Sequence, residues 1–390
     1  MGIDVVVVGG GYAGVMAANR LTRREDVAVT LINPRSTFVE RIRLHQLVGG
    51  SHPAVVDYRE VLAPRVRLVV DSATRIDAAG RAVELASGES VRYDYLVYAV
   101  GSASAAPRVP GAAEYAFPIG SLEEAQRLRP VLDAAPADAA VTVVGAGSSG
   151  IEVAAELAEQ GRRVTLVCGG TLGSYLHPKG RRTVARRMAA LGVTVVEDQM
   201  VTEVLPNAVR LDGREVASDV TIWTAGFGVP DLAARSGLRV DVQGRLLTDE
   251  TLTSVDDVRI VAAGDSAAPS DLPFRMSCQA AVQLGPQAAE TVLSRIAGTE
   301  PAAVDVGFVG LCVSLGRARG IFQVAARDDN ATKHHIAGRL GALLKEFVCK
   351  GTVKQLAAEA RKPGARNAWM KDAKRRERVA AVSAEPVGAR

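Results

Sequence analysis

Residues 5–14 read VVVVGGGYAG, and residues 141–150 read VTVVGAGSSG. Each stretch joins a run of apolar, mostly β-branched residues to the pattern GxGxxG and then to an apolar helical pattern. Such a turn brings backbone N–H groups and a helix N-terminus against a pyrophosphate, which only glycine allows at so close a distance. One copy is weak evidence. Two copies predict two dinucleotide-binding turns, formed by Gly9, Gly11, Gly14 and by Gly145, Gly147, Gly150.

The residues after each turn repeat as well. A second strand ends at Asn33 in the first copy and at Cys168 in the second, and each copy closes with an apolar strand that ends in glycine, Gly101 and Gly226. This duplication predicts an α/β fold with two Rossmann-like units of the glutathione-reductase type.

The acidic residue that grips the ribose hydroxyls at the end of the second strand is absent from both copies. Asn33 is still able to hydrogen-bond a ribose, whereas Cys168 does so poorly and leaves the 2′-phosphate of NADP unopposed. Arg181 and Arg182 either supply positive charge there or are solvated helix charges. The sequence leaves the choice between NADH and NADPH open.

Composition bounds the class of protein. Of 390 residues, 48% are hydrophobic and 23% are charged, which is typical of a globular enzyme. No apolar run reaches the roughly 20 residues that cross a bilayer, and the first strand begins almost at Met1, so we expect a cytoplasmic protein. The four cysteines form no CxxC pair, so we expect neither a disulfide framework nor a metal site.

The pattern changes after Gly226. The apolar strand 258–263 ends in Gly264 and Asp265, and a long helix is predicted from Met276 to Ile296. A third section follows, with short strands at 308–315 and 321–325 and a helix from His335 onward.

Four motifs, in order, resemble those of flavoproteins with two dinucleotide-binding domains, above all type II NADH dehydrogenases and apoptosis-inducing-factor-like oxidoreductases. They are the first glycine cluster, the strand 93–101, the second cluster continuing to Glu152, and the pair Gly264 and Asp265. The resemblance covers roughly residues 3–325. It implies that the first turn binds FAD with Asn33, Gly101, Gly264 and Asp265, and that the second turn binds NAD(P)H.

The resemblance also suggests domain limits. We expect an FAD domain in residues 1–115 and 245–300, an NAD(P)H domain in 116–244, an α+β section in 301–378 and a flexible tail in 379–390. Disulfide reduction is not expected, because no cysteine precedes Cys168.

Three residues are predicted to act in catalysis. Glu152, in the first turn of the second fingerprint helix, matches a glutamate that faces the junction of nicotinamide and flavin; otherwise it is a helix-dipole partner. Gln279 and Gln283 lie four residues apart and resemble a quinone-site motif, with Cys278 replacing its alanine; otherwise they are outward polar side chains.

The C-terminal region is basic, since residues 333–390 contain 14 Lys or Arg and 5 Asp or Glu. Its apolar residues recur at helical spacing, with Arg339, Lys345 and Lys350 between them: Ile336, Leu340, Leu343, Leu344 and Phe347. Three roles are open for such a helix: it binds the inner face of a membrane, it packs against the rest of the protein, or it forms a homodimer contact. Nucleic acid is not an expected partner.

The favoured function is hydride transfer from NAD(P)H through FAD to a quinone-like or other small organic acceptor. The alternatives are a soluble flavin oxidoreductase for a specialised metabolite and a non-catalytic redox sensor like apoptosis-inducing factor.

Overall fold

The computed structural model describes residues 2–365 and 370–384. The helices are α1 (Tyr12–Leu21), α2 (Leu44–Val48), α3 (Tyr58–Val61), α4 (Ala112–Tyr115), α5 (Leu122–Ala134), α6 (Ser148–Glu159), α7 (Pro178–Ala190), α8 (Leu232–Arg235), α9 (Cys278–Ile296), α10 (Arg339–Arg361) and α11 (Arg375–Ala384), with 3-10 turns at Arg41–Arg43 and Gly264–Ser266. The strands are β1 (Ile3–Val8), β2 (Val27–Asn33), β3 (Thr37–Val39), β4 (Val55–Asp57), β5 (Val66–Val70), β6 (Ala73–Asp77), β7 (Ala82–Leu85), β8 (Ser90–Arg92), β9 (Tyr95–Tyr98), β10 (Ala103–Ser104), β11 (Ala116–Pro118), β12 (Ala140–Val144), β13 (Arg163–Val167), β14 (Thr194–Val196), β15 (Val201–Leu205), β16 (Ala208–Leu211), β17 (Arg214–Ala217), β18 (Val220–Trp223), β19 (Phe227–Gly228), β20 (Leu246–Thr248), β21 (Ile260–Ala262), β22 (Ala267–Pro269), β23 (Gly310–Ser314), β24 (Gly320–Ala325) and β25 (Ala331–Gly338).

The first parallel sheet has the strand order β21-β9-β1-β2-β5. Its central strand β1 is buried from Val5 to Val8 because sheet neighbours flank it and helices cover it. Helix α1 follows at once, is buried on every side and packs against α9. Strand β21 enters this sheet beside β9 from far along the chain, so Gly264 and Asp265 emerge at the same edge as the first glycine turn.

The second parallel sheet repeats the arrangement with the order β11-β18-β12-β13-β14. Its central strand, β12, lies between β13 and β18, as β1 lies between β2 and β9. In each sheet the glycine turn therefore follows the strand at which the strand order reverses, which is where open α/β sheets bind ligands. The predicted α/β fold with two Rossmann-like units is confirmed.

The C-terminal section corrects one prediction. Residues from His335 onward do not begin a helix: β25 runs to Gly338, paired antiparallel with β24, and α10 begins at Arg339. Gly338 has a φ of 77°, a left-handed conformation that favours glycine and separates the strand from the helix. Ile336 therefore lies in a strand, outside the helical stripe to which it was assigned.

Helix α10 reaches back across the molecule to the first unit. The Arg20 side chain on α1 donates to the Glu359 carboxylate at 2.5 Å, and the Asn19 amide donates to the Leu356 carbonyl at 3.3 Å. Strand β23 meets the second unit at α6. The C-terminal section thus touches both nucleotide-binding units. The tail predicted over 379–390 begins inside α11; residues 385–390 lie outside the described residues.

Candidate active site between the two glycine-rich turns

The first glycine turn combines close backbone packing with an open face. A Cβ on Gly14 would lie 1.8 Å from the Gly9 carbonyl oxygen, and one on Gly9, whose φ is +105°, would lie 2.3 Å from the Ala99 oxygen. A Cβ on Gly11 would meet no protein atom within 4 Å. Gly9 and Gly14 thus hold the turn against the sheet, while Gly11 leaves room for a phosphate group at the N-terminus of α1.

The second turn has the same division of roles. A Cβ on Gly150 would lie 1.8 Å from the Gly145 oxygen, whereas Gly147 faces open space. The Thr224 hydroxyl fixes the turn by donating to the Gly145 carbonyl at 3.0 Å. Both turns therefore fit a dinucleotide pyrophosphate.

A cavity of about 1100 Å³ connects the two turns. Nine of the predicted site residues line it: Gly9, Gly11, Asn33, Gly101, Gly147, Glu152, Gly264, Asp265 and Gln279. The other four lie behind it: Gly14, Gly145, Gly150 and Gln283. The three glycines among these four, like Gly9 in the lining, have no room for a Cβ because neighbouring protein atoms lie too close.

Asp265 is held at the cavity wall by three neighbours. Its carboxylate accepts from the Ser102 hydroxyl at 2.7 Å and from the Ser277 backbone N–H at 3.0 Å, and the Arg41 guanidinium lies 3.6 Å away. Arg41 also donates to the Gly120 carbonyl at 3.2 Å. Sequence reasoning missed Arg41, because nothing in its local pattern indicates that it meets a loop more than 200 residues away.

Asn33 lines the cavity and also braces the first turn. Its carbonyl oxygen accepts from the Gly10 N–H at 3.0 Å, and its amide donates to the Arg35 carbonyl at 2.8 Å. Each amide group retains capacity for one more hydrogen bond, which leaves it able to contact a ribose.

Glu152 belongs to a buried polar cluster at the other end of the cavity. Helix α6 begins at Ser148, so Glu152 lies in the second turn, not the first as expected from sequence. Its carboxylate accepts from Lys345 Nζ at 2.7 Å and from the Ser314 N–H at 2.9 Å, and His45 Nδ1 is 3.4 Å away. The cluster therefore joins α6 to α10, β23 and α2.

The charge states in this cluster follow from burial and pairing. Burial opposes ionisation of Glu152, but Lys345 and His45 hold the pKa of its carboxyl below the usual value. Burial likewise opposes charge on Lys345, yet Glu152 raises the pKa of its ammonium. Burial lowers the pKa of His45 to about 4 despite the attraction of Glu152. At neutral pH the cluster is an ion pair beside a neutral imidazole.

The two glutamines differ in position. In the orientation that satisfies both of its amide groups, Gln279 donates to the Gly310 carbonyl at 2.9 Å and accepts from the Val309 N–H at 3.1 Å, at the cavity wall. Gln283 is only 4% exposed and donates to the Gly307 carbonyl at 3.2 Å. Both brace the segment that leads into β23.

The sequence prediction was wrong for Lys345, which it placed among the outward-facing charges of an amphipathic helix. It is buried, whereas Leu340, Leu343 and Phe347 are 64%, 66% and 74% exposed. A signal was present, because residues with small side chains, Gly341 and Cys349, lie four positions on either side of Lys345. Such spacing is typical of a helix face packed close to its neighbours.

Comparisons with known proteins agree with this geometry. The family model of pyridine nucleotide-disulphide oxidoreductases matches residues 3–290. An NADH dehydrogenase-like protein of Mycobacterium tuberculosis is 30% identical over 349 residues, covering 82% of this chain and 87% of that protein. A type II NADH:quinone oxidoreductase of the same species is 27% identical over 350 residues, covering 76% of this chain and 74% of that protein. The sulfide:quinone oxidoreductase structure from Aquifex aeolicus shares the fold, with a TM-score of 0.78, 19% identity and coverage of 92% of both chains.

These matches confirm the family resemblance and the two predicted cofactors, FAD and a nicotinamide nucleotide. No helix within residues 2–365 and 370–384 has both the length and the apolar character needed to cross a bilayer. The chain belongs to the pyridine nucleotide-disulphide oxidoreductase family and is an FAD-dependent oxidoreductase of NAD(P)H.

Proposed function

We propose that the protein transfers hydride from NAD(P)H through FAD to a quinone-like small organic acceptor. The observation that carries this proposal is the Glu152–Lys345 ion pair, which lies in the wall of the cavity that joins the two glycine turns. FAD, when bound, takes up hydride from the nicotinamide and passes two electrons on. Its holders would be Gly9, Gly11, Gly14, Asn33, Gly101, Gly264 and Asp265; the nicotinamide nucleotide would lie on Gly145, Gly147 and Gly150.

Lys345 provides a hydrogen-bond donor for the quinone oxygens as they gain electrons. Conversion of a quinone to a quinol consumes two electrons and two protons, and the NAD(P)H hydride with one solvent proton balances this. The ammonium of Lys345 holds a proton at Nζ and lines the cavity, so it donates a charge-assisted hydrogen bond that strengthens as the acceptor becomes negative. Glu152 keeps that ammonium charged and in place.

Gln279 would contribute on the same side by positioning. Its amide lines the cavity and holds the Val309–Gly310 backbone. Gln283 supports this segment from behind through Gly307. In this proposal both glutamines therefore position the wall, Gln279 at the cavity face and Gln283 from behind. The type II NADH:quinone oxidoreductase among the relatives supports the choice of acceptor.

The proposal is tested by separating the two half-reactions. The FAD-loaded protein is reduced anaerobically with NADH and then mixed with a short-chain quinone in a stopped-flow instrument. We expect Lys345→Met to slow reoxidation by about 100-fold, within the range for loss of a positioned hydrogen-bond donor to a developing negative charge. Reduction by NADH should change by less than about threefold, because an acceptor-side donor contributes little to that step.

Lys350→Met is the matched control, since Lys350 is on the same helix but mostly exposed. Wild-type protein that NADH reduces but no quinone reoxidises would contradict the proposed acceptor and favour a redox sensor. Equal slowing of both half-reactions by Lys345→Met would remove Lys345 from the acceptor side.

We further propose that α10 binds the surface of a membrane. Its exposed stripe, Leu340, Leu343 and Phe347, faces away from the body, and Phe347 also lines the cavity. A lipophilic acceptor would then enter the cavity from the lipid side. Arg339 and Lys350 flank the stripe with positive charge, which favours anionic lipids.

Vesicle co-sedimentation distinguishes membrane binding by α10 from a dimer contact. Leu343→Ser with Phe347→Ser should weaken binding to phosphatidylglycerol vesicles by about tenfold or more, because each removes an apolar side chain from the interface. Val242→Ser removes another fully exposed apolar residue and should leave binding unchanged. A protein that ignores vesicles but sediments as a dimer until the stripe is mutated would identify the stripe as a dimer contact.

A further inference from the structure

The adenosine end of the second unit lies at a loop, residues 168–173, that follows β13. This loop is held on both sides: the Gly173 N–H donates to the Ala146 carbonyl of the glycine turn at 3.2 Å, and the Leu172 N–H donates to the Glu197 carboxylate at 2.6 Å. In a dinucleotide-binding unit the ribose next to the adenine lies between the glycine turn and the end of the second strand. The Glu197 carboxylate therefore enters the region of that ribose from the neighbouring strand.

Cys168, at the position of the usual acidic residue, is buried and turned inward. It is 1% exposed, and its Sγ lies 3.9 Å from the Leu166 carbonyl of its own strand. Burial raises the pKa of the Cys168 thiol to about 12, and the nearby Glu197 and Asp198 carboxylates add to the rise. The negative charge missing from position 168 is thus present close by, supplied by residues that follow β14.

The loop also has room for a ligand. A Cβ on Gly170 would meet no protein atom within 4 Å. One oxygen of Glu197 accepts a hydrogen bond from the Leu172 backbone N–H, but the side chain is exposed. The carboxylate therefore still has lone pairs that face solvent.

The arginines whose positive charge would favour NADPH belong to α7, which packs against the C-terminal section. Arg181 and Arg182 follow Gly180 near the N-terminus of α7, where the flanking residues meet the C-terminal section. A Cβ on Gly180 would lie 2.6 Å from the Gln323 side chain, and the Thr183 hydroxyl is 3.1 Å from His335 Nε2.

We infer that Glu197 is the residue that selects NADH over NADPH, by accepting a hydrogen bond from the adenosine 2′-hydroxyl and repelling a 2′-phosphate. The inference rests on the proposed function, in that the second unit binds the nicotinamide nucleotide. A carboxylate in contact with the adenosine ribose is a standard physical basis for this selection. Here it directly follows β14, the neighbour of β13 in the sheet, instead of following β13 itself.

Two measurements test it on the FAD-loaded protein. Calorimetric titration with NAD⁺ and NADP⁺ gives the ratio of their dissociation constants without turnover, and initial rates with NADH and NADPH give the ratio of kcat/KM. We expect the wild type to favour the non-phosphorylated nucleotide by about 100-fold in both. Glu197→Gln keeps an oxygen that can accept from Leu172 but removes the charge, so it should narrow both ratios by about tenfold.

Asp198→Asn is the matched control. It removes a neighbouring charge and keeps a residue that tolerates the left-handed φ of 54° at this position. This variant should shift the ratios by less than about threefold. Preference of the wild type for NADP⁺, failure to bind either nucleotide, an unchanged ratio in Glu197→Gln, or an equal shift in both variants would each overturn the inference. Selective NAD⁺ binding without reduction of any quinone would leave it standing and contradict the proposed acceptor alone.

Discussion

The two glycine turns and helix α10 line one cavity but contribute to it in opposite ways. The turns act through their backbone, and each is specified by ten consecutive residues. Helix α10 contributes side chains, among them Lys345, whose ammonium donates a hydrogen bond to Glu152 across a sequence separation of 193 residues. Leu340, Leu343 and Phe347 of this helix face outward while this charge is buried, beside apolar residues such as Cys349 and Leu356 that are also buried. In the proposed function, local motifs hold the cofactors, while residues distant in sequence provide the charged groups around them.

The largest expected effect comes from breaking the turns one at a time. Gly11→Val places a side chain in the space left for a phosphate, and the purified protein should lose its FAD. Gly147→Val should leave FAD bound and instead lower kcat/KM for NADH by about 100-fold or more, since the same obstruction lies in the other turn. Flavin absorbance per chain and initial rates measure the two effects. Loss of FAD from both variants would show that the turns do not act separately.

The second prediction compares how much two ion pairs of α10 stabilise the fold: the buried pair Lys345–Glu152 and the exposed pair Lys350–Glu346. Lys345→Met leaves Glu152 buried without its cation, so we expect the free energy of unfolding to fall by about 3–5 kcal/mol. Lys350→Met, which loses an exposed i,i+4 partner, Glu346, should cost less than about 1 kcal/mol. Urea unfolding of the FAD-loaded proteins gives both values. Adding Glu152→Gln to Lys345→Met should recover most of the loss, because no buried charge then remains unpaired.

A similar cost for Lys345→Met and Lys350→Met would mean that the cluster is hydrated. In that case the buried ion pair of Lys345 would stabilise the fold no more than the exposed ion pair of Lys350.

The features that could be predicted from sequence are the local glycine-turn motifs, whereas the distant contacts of α10 could not be predicted. The two turns, the Rossmann-like units around them and the return of the chain at Gly264 and Asp265 were predictable, because each depends on a local pattern of known geometry. The strand at residues 331–338 was not, because its pairing with β24 overrides a helical spacing of apolar residues. The partner of Glu152 was not predictable either, because it depends on how α10 lies against α6.

The smallest effect concerns His45, the neutral member of the cluster. An unfolded histidine binds a proton near pH 6.5, whereas burial lowers the pKa of folded His45 to about 4. The unfolded state therefore takes up a proton first as pH falls, so His45 destabilises the fold progressively from pH 6.5 down to about pH 4 and has no such effect above that window. One pKa unit corresponds to about 1.4 kcal/mol, so by pH 5 the loss should be about 2 kcal/mol.

His45→Gln removes this titration and keeps a side chain that can donate to Glu152. The free energy of unfolding of the variant should therefore fall less between pH 7 and pH 5 than that of the wild type, by about 2 kcal/mol in urea titrations. The His52 pKa is also lowered, chiefly by burial, but His52 is common to both proteins, so the difference between them isolates His45. Parallel pH profiles would show that His45 is protonated in the folded protein as readily as in the unfolded chain. The cluster would then contain a second cation beside Glu152, contributed by α2 in addition to Lys345 of α10.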